Sequence, residues 1–219
     1  MRKAHFICKN KAANYRKKEY SLNEQQFDQY LNIETEGYQQ GYPKNLDYHR
    51  YEPTPYKALE QLFNEYELPH QAVCVDIGCG KGRVPIYLHN KFHVKTKGIE
   101  MDPKFFAAAE QNLQQYKAKH PLKARSVTFY HCLGEEYNVQ KHDNVFFFFN
   151  PFSIHIFRRV LDNIVASYEK YPRKLHFIFY YPSPEYMDYL LNYPILTLKQ
   201  EVRIENERNI NERIVIFTT

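Results

Sequence analysis

From about residue 70 onward, short apolar runs alternate with stretches whose apolar residues return every three or four positions, the pattern of an α/β chain. Residues 72–77, Ala-Val-Cys-Val-Asp-Ile, read as a buried strand opening a glycine-rich turn, with a short helix over 83–88 after it. Further strands are predicted over 94–100, 127–132 and 144–149, with a helix over 103–119 begun by Pro103. The run at 144–149 is almost entirely phenylalanine, and a strand without polar alternation belongs in the sheet centre, covered on both faces. A helix over 154–171, a strand over 175–181 and a helix over 184–191 continue the rhythm. Strands over 195–204 and 213–218, with a polar segment between them, form an antiparallel hairpin. The predicted fold class is therefore α/β, a doubly wound, mostly parallel seven-stranded sheet with an antiparallel C-terminal hairpin.

The chain before this rhythm is polar and tyrosine-rich. Ser21 and Glu24 have capping-box spacing and predict a helix over 22–33 with Phe27, Tyr30 and Leu31 on one face. Tyr56, Leu59, Leu62, Phe63 and Tyr66 recur at helical spacing behind Pro53 and Pro55, so a second helix covers 55–67. Residues 1–54 thus read as an N-terminal helical extension, basic and tyrosine-rich, and 55–219 as the main domain.

Charge sharpens this division. The first twenty residues, where seven lysines and arginines face Glu19 alone, carry +6 of a whole-chain net charge of +5, so the remaining 199 residues sum to −1. Such a segment can neutralise nucleic-acid phosphates, and a solvated tail has the same composition. No run approaches the roughly 20 apolar residues of a membrane span, and no apolar core follows the basic start, so a cytoplasmic protein without a membrane partner is expected. The four cysteines, Cys8, Cys74, Cys79 and Cys132, lack paired spacing and read as reduced thiols. His89 and His93 are four apart without a glutamate between them, which favours surface histidines over a metal pair; no metal is expected.

Of only seven glycines, Gly78, Gly80 and Gly82 fall in one five-residue window directly after a strand. Glycine lets a ligand approach bare backbone, so this concentration points to a binding turn. Arg83 stands where a dinucleotide fingerprint needs its third glycine, and Lys81 is followed by Gly82 rather than the hydroxyl of a phosphate loop. The segment Asp76-Ile-Gly-Cys-Gly-Lys-Gly82 resembles motif I of the class I S-adenosylmethionine-dependent methyltransferases, and the resemblance extends over about residues 72–218. It implies S-adenosyl-L-methionine as cofactor, S-adenosyl-L-homocysteine as product, and the same seven-stranded fold. By resemblance, Asp76 helps place the cofactor's amino group, and Gly78, Cys79, Gly80 and Gly82 pass under its methionine part. Glu100, followed by Met101, takes the ribose hydroxyls, for which two carboxylate oxygens suit a vicinal diol. Cys132, Leu133 and Gly134 line the adenine, with Glu135 in reach of its amino group. The alternative is a tight strand–helix turn in which Asp76 and Glu100 cap helices.

The fourth strand ends in Asn150-Pro151-Phe152, similar, with one proline fewer, to the motif of methyltransferases acting on planar nitrogens. The resemblance makes Asn150 an acceptor for the target NH₂ and Phe152 a stacking ring, with Pro151 between them. Equally, Asn150 caps the following helix, Pro151 begins it and Phe152 packs. Tyr48, Tyr51, Glu52 and Tyr56 precede motif I, where family segments shape the acceptor pocket; packing at the sheet edge is the alternative. No general base is obvious, and His155 reads as a surface residue. The expected activity is methyl transfer, with N-methylation of a nucleic acid, RNA before DNA, ahead of a protein or small-molecule acceptor. A non-catalytic cofactor-binding protein is the reading from another class.

Overall fold

The computed structural model describes residues 22–37, 47–120, 126–205 and 207–219. Strand β1 (Val73–Ile77) lies between β2 (Lys95–Glu100) and β4 (Val145–Phe148), and β3 (Val127–His131) and β5 (His176–Tyr180) extend the sheet outward, all parallel. The C-terminal hairpin, β6 (Thr197–Arg203) and β7 (Arg213–Thr218), inserts β7 antiparallel beside β5 and leaves β6 at the edge. The order is β3-β2-β1-β4-β5-β7-β6, so β4 holds the central position that its phenylalanines predict. The strand order reverses between β1 and β4, and that reversal opens the crevice in which open α/β sheets bind ligands.

Side chains leave the strands alternately to two cores. On one face Cys74, Phe147, Ile178 and Ile216 pack with α1 (Glu24–Leu31), α2 (Tyr56–Glu65), α3 (Arg83–Phe92) and α4 (Pro103–Lys119). On the other, Val75, Phe146, Phe148, Phe177 and Phe179 meet α5 (Ile154–Lys170) and α6 (Pro184–Leu191). Phe146, Phe147 and Phe148 are all fully buried, each stabilising the fold by roughly 1.5–3 kcal/mol. No helix among the described residues is long and apolar enough to cross a membrane.

Three expectations are corrected. The capping box at the start of α1 is Asn23 with Gln26, whose side chains and backbone N–H groups bond reciprocally; Ser21 lies outside the described residues. Tyr30 faces solvent and Asp28 is buried instead, because α1 docks on a buried arginine. Helix α3 runs four residues past position 88, because His89 is buried and bonds through Nδ1 to the Tyr116 hydroxyl at 3.2 Å rather than lying on the surface. His93 ends this helix in a left-handed conformation. The basic segment 1–20, with Cys8, also lies outside the described residues.

Candidate functional site

Strand β1 ends in Asp76 and Ile77, and the chain turns through residues 78–82 into α3 with Gly78, Gly80 and Gly82 all at positive φ. This loop hangs from the end of β2. The N–H groups of Gly78 and Cys79 donate to the Ile99 carbonyl at 2.9 and 3.0 Å, and the Gly80 N–H donates to Glu100 Oε2 at 2.8 Å. Glu100 Oε1 accepts from the Asp102 N–H at 2.8 Å, so each oxygen of this buried carboxylate keeps a lone pair for a ligand. Burial raises the Glu100 carboxyl above its usual range, and the backbone bonds from Asp102 and Gly80 pull it back. Asp76 is 6% exposed, its backbone is paired in the sheet, and its carboxylate makes no hydrogen bond among the described residues. Burial, then the charge of Glu100, holds its carboxyl well above the ordinary value. Cys79 is buried in the loop, and burial with the two neighbouring carboxylates drives its thiol up as well, which leaves it a packed rather than a reactive group.

Residues 47–56 form a strap across the carboxyl ends of the strands. Tyr51 lies directly on the loop: a Cβ at Gly80 would come within 2.1 Å of its ring. Its hydroxyl donates to the Thr35 carbonyl at 2.6 Å, and its ring packs on Phe105 with centroids 4.7 Å apart. Lys81 donates to the Glu36 carbonyl at 2.6 Å. Beneath the strap Arg83, the first residue of α3, donates to Thr35 Oγ1 at 2.6 Å, to the Thr54 carbonyl at 3.0 Å and to Glu24. Asp28 accepts from the Thr35 N–H at 2.6 Å and from the Tyr56 hydroxyl at 2.6 Å. The boundary at residue 54 therefore marks a change of composition and not a break in packing.

At the end of β3, the Cys132 N–H donates to the Glu100 carbonyl at 3.2 Å, and a 3₁₀ turn over Gly134–Glu136 follows Leu133. Met101 is exposed, and His131 Nε2 donates to its carbonyl at 3.1 Å. Glu135 accepts from Arg159 at 2.6 Å through Oε1.

The end of β4 meets both the loop and the strap. Pro151 packs on Gly78, where a Cβ would lie 2.7 Å from the proline Cβ. The Pro151 carbonyl accepts from the His49 N–H at 3.0 Å, the Asn150 carbonyl from His49 Nδ1 at 2.6 Å, and Tyr48 forms an antiparallel bridge with Phe152. Asn150 sits at φ +39°, and its Oδ1 is sealed from solvent with no hydrogen-bonded partner among the described residues. Tyr181, at the end of the neighbouring β5, is also left-handed, at φ +53°. Between these two loops opens a cavity of about 230 Å³ lined by His49, Arg50, Glu52, Phe149, Asn150 and Tyr181. Non-glycine residues held at positive φ on two adjacent loop ends are the local strain that binding sites store.

The carboxyl ends of β1, β2 and β3 and the loops after them carry Asp76, Gly78, Cys79, Gly80, Gly82, Glu100, Met101, Cys132, Leu133 and Gly134, with Asn150 and Pro151 at the end of β4; the bare face of Gly80 is filled by Tyr51 and that of Gly82 by Phe129 and Ala109. Two predicted contacts fall elsewhere. Phe152 is 3% exposed, its ring in the core beside Tyr48 and its carbonyl bonded to the Tyr186 hydroxyl, so it offers no face for stacking. Tyr56 is 1% exposed, stacked on Phe27 with the Arg83 guanidinium 4.3 Å from its ring centre. Tyr48 lies with its hydroxyl beside Glu135, and burial with that charge raises its pKa. Ser153, not Asn150, precedes the first turn of α5, and its hydroxyl donates to Asp47 at 2.8 Å. His155 is exposed. The aromatic cavity walls are Phe149 and Tyr181, both at strand ends, and the ring nearest the motif is His49. Phe149 could have been found as the residue before Asn150; nothing local marks His49, which meets Asn150 across 101 positions of chain.

No protein-family model matches the chain, and no curated protein matches it by sequence. Solved structures match it by shape. An RNA methyltransferase from Salinibacter ruber in complex with S-adenosyl-L-homocysteine aligns with a TM-score of 0.52 at 17% identity, covering 76% of this chain and 92% of that one. An rRNA methylase from Streptococcus thermophilus aligns with a TM-score of 0.52 at 14% identity, covering 73% and 93%. A precorrin-6y C5,15-methyltransferase from Geobacter metallireducens aligns with a TM-score of 0.53 at 15% identity, covering 82% and 92%. The chain has the fold of the class I S-adenosylmethionine-dependent methyltransferases.

Proposed function

We propose that this chain is an S-adenosylmethionine-dependent methyltransferase that transfers the methyl group to a nitrogen of a nucleic acid, RNA before DNA. The observation that carries the reading is Asn150: its buried Oδ1 has no hydrogen-bonded partner among the described residues, and the residue lines a cavity at the end of β4, next to Pro151, which packs on Gly78. A buried acceptor without a donor costs about 1–3 kcal/mol, and an NH₂ group entering the cavity would offset that cost.

The residues of the crevice fit the cofactor. Asp76, buried without a hydrogen-bonded partner, suits an ammonium group, and the free lone pairs of Glu100 suit a ribose diol. Cys132, Leu133 and Gly134 would line the adenine. Bound, S-adenosylmethionine supplies a methyl group activated by a sulfonium. Asn150 Oδ1 accepts a hydrogen bond from the target nitrogen and fixes its orientation, while Phe149 and Tyr181 hold a planar acceptor between them. The strap covers the loop through Tyr51 over Gly80 and is held to the end of β4 through His49 on Asn150. Arg50 at the cavity and the basic segment 1–20 supply positive charge for a phosphate backbone.

The test is incubation of the purified chain with methyl-labelled S-adenosylmethionine and a cofactor-depleted lysate, with excess unlabelled S-adenosylhomocysteine as the blank. Label released by nuclease is the expected result, RNase ahead of DNase. Label released by protease, or found on a small molecule, would replace the nucleic acid with that acceptor. Tight cofactor binding with no label above the blank would leave a binding protein without turnover.

A further inference from the structure

We infer that His49 is the proton acceptor of this transfer, a role that rests on the methyltransferase reading and goes beyond it. Its Nδ1 lies 2.6 Å from the Asn150 carbonyl oxygen, and a carbonyl only accepts, so Nδ1 carries the hydrogen. In the neutral ring the basic lone pair is then on Nε2. The ring is held twice, because the His49 N–H also donates to the Pro151 carbonyl at 3.0 Å. The two bonds go to Asn150 itself and to Pro151 after it, and His49 and Asn150 line the same cavity. One residue thus orients the acceptor nitrogen, and the ring fixed to its backbone takes the proton.

In the transfer the lone pair of the acceptor nitrogen forms the new N–C bond, and the C–S bond breaks with its electron pair going to sulfur. The nitrogen, now carrying one proton too many, gives it to His49 Nε2. The resulting imidazolium returns the proton to water, from which His49 is accessible.

The other groups facing His49 fit this task less well. Arg50 is permanently protonated and Asn150 is neutral. The Tyr181 hydroxyl is engaged as acceptor for the Asn209 amide at 2.9 Å, and Asp47, two residues before His49, is bonded by the Ser153 hydroxyl. Glu52 is the remaining base in the cavity wall, exposed and with no orienting hydrogen bond among the described residues.

Two substitutions separate holding from proton transfer. His49→Asn places an amide N–H where Nδ1 stands and keeps the bond to Asn150 while removing the base; His49→Gln removes the base and reaches the position of Nε2 without the bond to Asn150. Both should bind S-adenosylhomocysteine as the wild type does. With the labelled acceptor fraction, His49→Asn should lose roughly 100- to 10,000-fold in rate, lose the fall in rate toward acid pH, and regain part of the activity with added imidazole. Glu52→Gln, which alters the other base of the cavity wall, should retain the fall in rate toward acid pH. A His49→Asn protein with wild-type rate and an unchanged acid limb would overturn the assignment, as would a Glu52→Gln protein that lost that limb. Independently of any acceptor, nitrogen NMR of the histidine rings should find His49 as the Nδ1–H tautomer, and an Nε2–H ring would overturn the inference on its own. A wild type that transfers no label refutes the methyltransferase reading, and the proton-acceptor role with it.

Discussion

At the scale of single residues, the two carboxyls of the crevice face opposite problems. Glu100 is bonded through both oxygens to backbone N–H groups, whereas Asp76 has burial without a bond. A raised folded-state pKa means that the native chain holds a proton the unfolded chain has already lost, so stability falls as pH rises above the ordinary carboxylate value toward the folded one. Asp76→Asn removes that ionisation and should raise the melting temperature at pH 7, with the gain shrinking toward acid pH. The same substitution should weaken S-adenosylmethionine binding, because the ammonium group loses its counter-charge; a less stable variant, or one that binds as tightly as wild type, contradicts this account. Glu100→Ala should cost about 1–3 kcal/mol of binding in titration calorimetry with S-adenosylhomocysteine, and unchanged affinity would remove Glu100 from the cofactor site. Gly80 is a poorer probe than its sequence context implies. Its bare face is filled by the Tyr51 ring, so a larger side chain there displaces the strap as well as any ligand.

Among the elements, strands and helices were legible wherever hydrophobic period and boundary residues agreed. Helices α4 and α6 begin at Pro103 and Pro184 behind the side-chain caps Asp102 and Ser183, and β4 is central because nothing in its phenylalanine run tolerates water. The end of α3 was hidden because His89 looks polar in sequence and is buried through a partner 27 residues away. His176 in β5 was opaque for the same reason. It is 4% exposed, its Nδ1 lies 2.7 Å from the Tyr66 hydroxyl at the end of α2, and burial with Lys199 and Lys174 lowers its pKa from 6.5 to about 4. The unfolded chain therefore takes up this proton first as pH falls. The contribution is intact above about pH 6.5 and is lost toward pH 4, on the order of 3 kcal/mol. Denaturant midpoints across that range should fall for the wild type and fall less for His176→Gln. Parallel curves would mean that another group governs acid unfolding.

For the molecule as a whole, the strap is what the sequence reading could not assemble. The glycine loop and its two acids are local signals, readable because strand, turn and second strand follow one another within the 28 residues from the start of β1 to the end of β2. The strap acts through pairs far apart in sequence: His49 with Asn150, Asp47 with Ser153 and Tyr51 with Gly80. No periodicity links such pairs, so Tyr56 resembled a pocket residue and His49 no candidate at all. Arg83 anchors the assembly, joining the start of α3 to α1 through Glu24, to Thr35 and to the strap at Thr54. Its side chain is 3% exposed, and removing one member of a buried charged network leaves the others without compensation. Arg83→Met should therefore lower stability by roughly 3–5 kcal/mol in urea unfolding. Because Thr35 also receives the Tyr51 hydroxyl through its carbonyl, the loosened network should free the strap over Gly80. Limited proteolysis should then cut the variant near residues 47–56 while the sheet survives, at temperatures well below its melting point. A variant that unfolds in one step, with no early cleavage there, would show that the strap is held by its contacts with the β4 end alone.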